Sequence, residues 1–499
     1  MPRRVAGFAF AVLTVSAMAQ AGEVRTPDLA ATPLPRTVQM DGRTYVDHGL
    51  VATGSLPAGT VDFLGDTLGS FSSLMIEPGT WKRDGDTYTG VLWTLPDRGR
   101  NDPEHNVFFD YRARMHRFRV RMAPTAQGEG FTLTPDGGRE FHDADGRPLT
   151  GADPGKGTRT GHGIVLPSPT SGIGAGKLSI DAESLQFTRD GGFYVGDEYA
   201  ANVYRFDANG RLIGVIGPPR AVQPLDANGE PDFTSLHPPA TGRRNNQGVE
   251  GMALSPDGTR LFVVLQSALV QDTASGDASG RALTRVLVYD VSRDATPRRP
   301  VAHYVVRLPV YAERGAGGAP DRTAAQSEIR VLDAHRFLML ARDGAGLGAD
   351  DGKPIVYKSV LLVDTRQATN LAGSAYETGP MSLRDAHGEL RRDIRLATWK
   401  PFVDLLDPAD LARFGLSVDR AQPGTTRLSE KWEAMDLVSA MDPAHPHDWF
   451  LIVGNDNDFV AKHCVMDGKR CDSPIDNDNR ILVYRLTLPG MRSTAAPNP

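Results

Sequence analysis

Residues 248–266 read GVEGMALSPDGTRLFVVLQ, and their pattern decides the fold because it recurs along the chain. Glu250 precedes a short apolar run, the turn SPDG follows, and a second apolar run leads to Gln266, with a third run, VLVYD, further on. Short apolar runs bounded by Gly, Pro and Asp are typical of β-strands joined by turns. The stretch therefore predicts a unit of three strands with a polar residue at two fixed points.

Other stretches repeat this order of polar residue, strand, turn, strand and polar cluster. Clear copies begin at Glu183 with SLQF and at Glu433 with AMDLV, another begins at Glu328 with IRVL, and a weaker one begins at Ser72 with SLMI. Three-strand units that recur at about 40 residues or more are the signature of propeller blades. Because the innermost strands of a propeller surround a central channel, equivalent residues should form a ring.

The predicted fold class is all-β, a single β-propeller of about six or seven blades with loop insertions. Five copies are recognisable, and long gaps after the first and fourth copies leave room for one or two divergent blades. The Gly-rich stretches 151–163, 271–281 and 313–323 are interpreted as insertions, and residues 407–415 predict a short helix. Two packed β-sandwich domains are the alternative, but the recurring glutamate favours the ring.

The predicted domain organisation is a signal peptide, a lead-in segment, the propeller domain and a flexible C-terminal tail, at residues 1–21, 22–49, 50–487 and 488–499. Paired arginines, an apolar stretch and a final A-x-A pattern are the layout of a secretory signal peptide. No later run is long and apolar enough for a transmembrane helix. We therefore expect a soluble, exported protein, either periplasmic or secreted.

The cysteines and the charge also limit the class of protein. Cys464 and Cys471 lie close together, and in an oxidising compartment we expect them to form a local disulfide, since the segment offers too few ligands for zinc. The formal net charge of -6 over 499 residues gives neither a nucleic-acid footprint nor a basic membrane-binding patch.

Each repeat has two polar positions, one before its first strand and one after its second, which antiparallel pairing places at the same end of a blade. The first set is Glu183, Glu250, Glu328 and Glu433, with Lys431 and Arg330 beside it. The second set is Asp97, Arg98, Asp197, Glu198, Gln266, Arg342, Asp343, Asp456 and Asp458. A single acidic residue beside a strand is usually a solvated turn residue, but recurrence in register favours a shared site.

Gathered at one end of a propeller, these side chains would form an acidic bowl with interspersed cations. Closely spaced carboxylates repel each other and must either protonate or recruit a cation. Carboxylate and amide oxygens suit Ca²⁺ best, with Mg²⁺ or Mn²⁺ as the other options. Arg98 and Arg342 are suited to bind a substrate phosphate or carboxylate in a bidentate manner. The sequence has no G-x-S-x-G, no H-E-x-x-H and no P-loop, which argues against an α/β-hydrolase.

These segments, with NNQGVEGMAL and KWEAMDL among them, resemble the phytase-like domain family, which is described as having esterase-like activity. The resemblance covers roughly residues 50–487. The family is similar to β-propeller phytases, which implies calcium-dependent hydrolysis of phosphate esters by recurring glutamates. Gln266 and Ala341 depart from this pattern, because they stand where glutamate is expected and so remove negative charge.

The repeats and the resemblance together give the predicted site. The predicted catalytic residues are Glu183, Glu198, Glu250 and Glu433, with Glu250 as the hypothetical general base. The predicted metal ligands are Asp181, Glu183, Asp197, Glu198, Glu250, Glu433, Asp456 and Asp458. The predicted substrate-binding residues are Arg98, Arg342 and Lys431.

Three functions remain open from the sequence. The first is an exported, Ca²⁺-dependent hydrolase of phosphate or other esters, acting as a monomer on a small anionic ester. The second is a non-catalytic envelope propeller that binds an anionic or sugar ligand or a protein partner, since a propeller fold does not determine function. The third is a lactonase-type propeller hydrolase, which would need a similar central metal but prefer cyclic esters.

Overall fold

The computed structural model describes residues 36–491, apart from residues 103, 104, 106, 275–279, 316, 350, 351, 420, 422, 423 and 425. The predicted signal peptide, the first part of the lead-in segment and residues 492–499 of the predicted tail lie outside the described residues. Within the described part of the chain, no helix is long and apolar enough to cross a membrane.

The chain begins with β1 (Arg36–Met40) and β2 (Arg43–Leu56), an antiparallel pair. The first blade contains β3 (Ser73–Ile76), β4 (Lys82–Asp84), β5 (Thr87–Leu95), β6 (Arg114–Met122) and β7 (Phe131–Glu140). A separate hairpin follows, formed by β8 (Thr158–Gly161) and β9 (Ile164–Pro167). The second blade contains β10 (Ala182–Phe187), β11 (Phe193–Asp197), β12 (Val203–Phe206) and β13 (Leu212–Ile216).

The third blade contains β14 (Val249–Leu254), β15 (Arg260–Leu265), β16 (Leu283–Asp290) and β17 (Ala302–Arg307), with a 3₁₀ turn at Val270–Asp272. A short hairpin follows, formed by β18 (Val310–Tyr311) and β19 (Arg322–Thr323). The fourth blade contains β20 (Ala325–Val331), β21 (Arg336–Arg342), β22 (Lys358–Asp364) and β23 (Thr398–Asp404). The short helix α1 (Ala375–Thr378) lies between its last two strands.

Helix α2 (Pro408–Arg413) connects the fourth blade to the fifth, as the sequence predicts, and its N-cap Asp407 accepts hydrogen bonds from the backbone N–H groups of the first turn. The fifth blade contains β24 (Lys431–Ser439), β25 (Asp448–Asp456) and β28 (Asn479–Thr487). Between its last two strands lies the hairpin of β26 (Val465–Met466) and β27 (Lys469–Arg470). The predicted disulfide is confirmed, since Cys464 and Cys471 are bonded across this hairpin.

The innermost strands of the five blades form a closed ring. Strand β3 contacts β10, β10 contacts β14, β14 contacts β20, β20 contacts β24, and β24 contacts β3. The prediction of six or seven blades is therefore wrong, because the ring closes with five. The long gaps in the repeat pattern hold the β8–β9 hairpin and the segments around α1 and α2, which are insertions and not further blades.

The two ends of the described chain complete one blade together. Strand β2 pairs antiparallel with β28, so the fifth blade has the order β1-β2-β28-β25-β24. Residues 36–49, which the sequence analysis placed in the lead-in segment, thus form β1 and the first half of β2. Pairing between strands from both ends of the described chain holds those ends together within one blade and so closes the ring.

Hydrophobic side chains fill the space between each pair of neighbouring blades. Phe262 of the third blade meets Phe337 of the fourth, with ring centroids 6.1 Å apart. Trp432 of the fifth blade is fully buried in the cluster that includes Leu340 of the fourth. Burial of each such side chain contributes roughly 1.5–3 kcal/mol relative to its exposure to water.

The middle of the channel is polar, and Glu328 lies at its centre. This carboxylate on β20 is fully buried. It accepts hydrogen bonds from the Ser73 hydroxyl of β3 at 2.7 Å, from the Ser184 hydroxyl of β10 at 3.2 Å, and from the Met252 backbone N–H of β14 at 3.1 Å. One side chain thereby connects four of the five innermost strands.

Arg330 extends this network to the fifth blade. Its guanidinium lies 3.2 Å from Glu328 Oε1 and donates to Asp436 Oδ1 of β24 at 3.0 Å. A further N–H donates to the backbone carbonyl of Leu74 on β3 at 2.9 Å. Because buried charges are costly unless they are paired and hydrogen-bonded, removal of one partner should strongly destabilise the ring.

The substitution Glu328→Ala should therefore lower the free energy of unfolding by about 3–5 kcal/mol, because it leaves the buried Arg330 guanidinium with only one of its two carboxylate partners and removes the acceptor shared by Ser73, Ser184 and Met252. Urea unfolding followed by circular dichroism measures this difference. The exposed Glu230→Ala is the control and should change the value by less than about 0.5 kcal/mol. A loss of less than about 1 kcal/mol in Glu328→Ala would contradict the assigned role.

Candidate metal and active site at the channel mouth

The innermost strands of four blades carry a β-bulge at the same point. The strand register shifts between Ala182 and Ser184, between Val249 and Gly251, between Gln326 and Glu328, and between Trp432 and Ala434. A bulge adds one residue to a strand and re-aims its side chain, and bulges are frequent next to active sites. The inserted residues are Glu183, Glu250, Ser327 and Glu433.

The bulges correct one part of the repeat alignment. The sequence analysis aligned Glu328 with the three other glutamates, and this alignment is wrong by one residue. Ser327 occupies the bulge in the fourth blade, while Glu328 pairs with Leu340 beyond it and lies inside the channel. The ring of recurring glutamates at the mouth is therefore interrupted at the fourth blade.

A second ring of polar residues follows the second strand of each blade. The residue that pairs just before each bulge is Asp197, Leu265, Ala341 or Asn455, and the next residue reaches the mouth. In the first blade, Ser73 is the counterpart of Ser184, since both donate to Glu328. Ser184 pairs with Gly196, two residues before Glu198, and Ser73 pairs with Leu95, two residues before Asp97. This ring consists of Asp97, Glu198, Gln266, Arg342 and Asp456.

Gln266 and Ala341, which stand where the family pattern leads us to expect glutamate, lie in different parts of the propeller. Gln266 lies at the mouth and donates a hydrogen bond to Glu250 Oε1 at 2.8 Å. Ala341 is fully buried in the hydrophobic cluster between the third and fourth blades. Only the glutamine therefore removes a charge from the mouth.

A cavity of about 380 Å³ opens at this end of the channel. Its lining includes the predicted residues Arg98, Asp181, Glu183, Glu198, Glu250, Arg342, Lys431, Glu433 and Asp458. It also includes residues that the sequence analysis did not assign to the site, namely Asn245, Asn246, Gln247, Arg281, Tyr311 and Thr323. Their loops and the β18–β19 hairpin lie outside the repeat, so the repeat pattern gave no signal for them.

Asp197 has a different role from the other predicted metal ligands. Its Oδ1 accepts the backbone N–H groups of Asp181 at 3.0 Å and Tyr199 at 3.2 Å, and its Oδ2 accepts that of Ala200 at 2.8 Å. The residue is fully buried and is not part of the cavity lining. It holds the two loops that carry Asp181 and Glu198.

Carboxylates at the mouth converge in groups whose oxygens lie within 4.8 Å of one another. The groups found among the described residues are Asp97 with Asp181 and Glu183, Asp97 with Asp456 and Asp458, and Glu183 with Glu198 and Glu250. Asp97 belongs to two groups, although it is not one of the predicted metal ligands. Its alignment with Glu198 and Asp456 in the repeat could have identified it. Glu433, by contrast, belongs to none of these groups.

The donor set fits a divalent cation. Oε2 of Glu250 is buried and has no hydrogen-bond partner, so it lacks compensation for its desolvation. Every ligand in the three groups is a carboxylate oxygen. Ca²⁺ takes six to eight oxygen ligands and tolerates irregular geometry, which matches a cluster assembled from several blades.

Burial and mutual repulsion raise the pKa of several of these carboxyl groups. Burial, and then the carboxylate of Glu250, raises the pKa of Glu183 well above its ordinary value. Burial, and then the carboxylate of Asp181, raises the pKa of Asp97 to about 7. Burial raises the pKa of Asp181 to about 6, although Arg98 opposes the shift. A bound cation would relieve the repulsion that these shifts report.

The cations of the mouth pair with individual carboxylates. Arg98 Nη1 lies 3.2 Å from Asp181 Oδ2, and Lys431 Nζ lies 2.7 Å from Asp458 Oδ1. The Arg342 guanidinium pairs with Glu433.

In two of these pairs, neighbouring cations lower the pKa of a buried carboxyl group that burial alone would raise. Burial alone would raise the pKa of Glu433, but Arg342 and Lys431 hold it below its ordinary value. Lys431 likewise holds the pKa of Asp458 below its ordinary value despite burial. Glu433 and Asp458 are therefore ionised and paired with cations. The pKa values of Glu183 and Glu250, in contrast, are raised by burial and by neighbouring carboxylates.

Because protons compete with a metal for these carboxylates, Ca²⁺ affinity should fall as the pH decreases through the raised pKa values of Asp97 and Asp181. We expect the dissociation constant to rise at least about tenfold between pH 8 and pH 5.5. Isothermal titration calorimetry with calcium chloride measures this change. An affinity independent of pH would contradict the site.

The double substitution Glu183→Gln/Glu250→Gln should weaken Ca²⁺ binding at pH 8 at least about tenfold, because it removes two negative charges from one carboxylate group. The matched substitution Glu230→Gln changes an exposed glutamate and should leave the dissociation constant unaltered. Equal affinities in all three proteins would show that the cation binds elsewhere.

Comparison with solved structures gives weak similarities. A luciferin-regenerating enzyme matches 89% of this chain and 98% of its own, with 9% identity and a TM-score of 0.28. The PQQ-bound aldose sugar dehydrogenase of Streptomyces coelicolor matches 88% of this chain and 99% of its own, with 13% identity and a TM-score of 0.26. Both scores are low, so neither similarity supports an argument about this protein.

Sequence comparisons are stronger. A protein of Arthroderma benhamiae, named an uncharacterized secreted protein, is 32% identical over 476 residues, which cover 86% of this chain and 90% of that protein. The family model described as phytase-like, with esterase-like activity of phytase, matches residues 68–459. This range contains the four bulge residues and the residues of the mouth from Asp97 to Asp458. The chain belongs to the phytase-like family.

Proposed function

We propose that this protein is an exported, Ca²⁺-dependent hydrolase of phosphate or other esters, with its active site at the mouth of the channel. The observation that carries the proposal is the convergence of carboxylates from different blades on one buried cavity. The family description, which names phytase and esterase-like activity, supports the same chemistry. The secreted relative and the disulfide support export.

The residues that would hold the cation are Asp97, Asp181, Glu183 and Glu198, with Glu250 beside them. They offer only oxygen ligands. All three carboxylate groups are linked, because the first shares Asp97 with the second and Glu183 with the third. A divalent cation in such a site supplies Lewis-acid polarisation of an ester oxygen and lowers the pKa of water. One or two ions fit the overlapping groups.

Glu250 is the proposed general base. Its Oε1 is held by the amide of Gln266, and its Oε2 has no hydrogen-bond partner. Burial, and then the carboxylates of Glu198 and Glu433, raises its pKa well above the ordinary value. A carboxylate with a raised pKa accepts a proton from an attacking water more readily than an ordinary glutamate does.

The cationic side chains that pair with carboxylates at the mouth would bind the substrate. Arg98 and Arg342 line the cavity, and each is held by a carboxylate, so both are oriented before a ligand arrives. Guanidinium groups bind phosphate and carboxylate oxygens in a bidentate manner. Lys431 adds a third positive charge beside Asp458.

Purified mature protein should release phosphate or carboxylic acid from model phosphomonoesters or carboxylic esters in calcium chloride, and lose this activity in excess chelator. Colorimetric phosphate release and pH-stat titration measure the two classes. A panel of lactones tests whether cyclic esters are preferred, which would favour the lactonase alternative. The absence of turnover on all three classes would favour a non-catalytic ligand-binding propeller.

Glu250→Gln should lower kcat by about 10²–10⁴-fold, the usual contribution of a general base. Its calorimetric Ca²⁺ affinity, measured in parallel, separates the role of base from that of ligand. Glu230→Gln is again the matched control. If Glu250→Gln keeps kcat within twofold of the wild-type value, Glu250 is not the base.

A further inference from the structure

Part of the cavity lining carries no charge and lies outside the carboxylate groups. We call this part the neutral wall and define it by Asn246, Tyr311 and Thr323. Asn246 precedes β14. Tyr311 ends β18 and Thr323 ends β19, the two strands of the hairpin between the third and fourth blades. The hairpin thus contributes to the mouth at the edge where the bulge glutamate is replaced by Ser327.

Two polar atoms of the neutral wall have no partner within the protein. The Thr323 side chain is 4% exposed, and its hydroxyl makes no hydrogen bond. The Asn246 amide oxygen is likewise buried without a partner. Buried polar groups are almost always hydrogen-bonded, so unpaired atoms that line a cavity indicate a ligand that supplies the missing bonds.

The backbone at Asn246 holds its side chain at the cavity in an uncommon conformation. Its φ of 49° lies in the left-handed region, which few residues other than glycine adopt, although asparagine does so more readily than most. Uncommon backbone conformations are concentrated at ligand-binding sites. The placement of Asn246 therefore agrees with a role in recognition.

The charges of the mouth limit the ligand further. Arg98, Arg342 and Lys431 already pair with Asp181, Glu433 and Asp458, respectively, and Arg281 is a fourth cation in the lining. Asp97, Glu183, Glu198, Glu250 and Asp456 remain in excess, and one bound divalent cation together with Arg281 would offset only part of their charge. A ligand with several anionic groups would meet repulsion from the remaining carboxylates, whereas one with a single anionic group would not.

We propose that the neutral wall binds a hydroxyl group on the alcohol portion of the substrate, so that the site selects esters with one anionic group and a hydroxylated remainder. This inference rests on the proposed function, because it assumes that the reacting ester lies at the carboxylate groups. Thr323 and Asn246 are the specificity-determining residues. A site with groups that require a substrate hydroxyl discriminates strongly against analogues that lack it.

Three phosphate esters test this selectivity in calcium chloride: glucose 6-phosphate, cyclohexylmethyl phosphate, which has a ring of similar size without hydroxyls, and glucose 1,6-bisphosphate. Dissociation constants are measured by calorimetry, and phosphate release is followed on the same samples. The wild-type protein should bind glucose 6-phosphate at least about tenfold more tightly than either of the other two esters.

Thr323→Val keeps the side-chain shape and removes the hydroxyl, and it should reduce the preference for glucose 6-phosphate over the cyclohexyl ester to less than about threefold. Asn246→Gly keeps the positive φ and should act in the same direction. Thr132→Val, on the exposed side of β7, is the matched control and should keep the wild-type preference. Thermal unfolding of each variant verifies that it is folded.

Equal affinities for the hydroxylated and cyclohexyl esters in the wild-type protein would overturn the inference, as would an unchanged preference in both folded variants. Tighter binding of the bisphosphate than of glucose 6-phosphate would overturn the requirement for a single anionic group. If the preference is found but no phosphate is released, the hydrolase proposal fails and the neutral wall stands.

Discussion

The contacts between Glu328, Arg330 and Asp436 determine how the five blades meet. A propeller ring is held mainly by hydrophobic packing between neighbouring blades, and such packing tolerates small shifts of one strand along another. The buried carboxylate and guanidinium permit little shift, because each hydrogen bond that they make is directional and its loss would leave a charge unpaired. They connect all five innermost strands at one level of the channel.

The arrangement of the mouth depends on this alignment. The bulges that carry Glu183, Glu250 and Glu433 lie next to the residues of the central network along the same strands. When the strands are aligned at the network, their bulges are at one height and their carboxylates converge. A register shift by one residue in any innermost strand would move its glutamate away from the group. The register of the innermost strands therefore places both the hydrogen-bond network in the channel and the carboxylates at the mouth.

The carboxylates of the mouth destabilise the folded state through burial and mutual repulsion. They are buried and close together, and burial with mutual repulsion raises the pKa values of Asp97, Glu183 and Glu250. The pairs of Arg342 with Glu433 and of Lys431 with Asp458 compensate part of this charge. Proteins retain such uncompensated groups mainly at functional sites, where a ligand completes them. The concentration of buried carboxylates that repel one another in a single cavity agrees with the proposed hydrolytic site.

The sequence predicted most of the mouth because the repeat brings equivalent residues to equivalent places. Glu183, Glu250 and Glu433 were found in this way, and the disulfide followed from two nearby cysteines. The number of blades was wrong because an insertion and a divergent blade have similar lengths, and only strand pairing separates them.

Other features required the structure. The position of Glu328 was wrong because a bulge shifts the register by one residue, which the sequence alone does not reveal. The pairing of Arg342 with Glu433 depends on how two blades face each other. Thr323 and Asn246 were missed because the segments that carry them do not repeat. These residues could be found only after the ring placed the hairpin beside the mouth.

The most direct measurement of the central claim is anomalous diffraction from crystals of this protein grown with Ca²⁺, with Mn²⁺ as a second ion. We expect an anomalous peak at the mouth, ligated by oxygens from the groups that contain Asp97, Glu183 and Glu250. Crystals with saturating cation and no peak at these carboxylates would contradict this expectation, and so would a peak confined to another part of the protein.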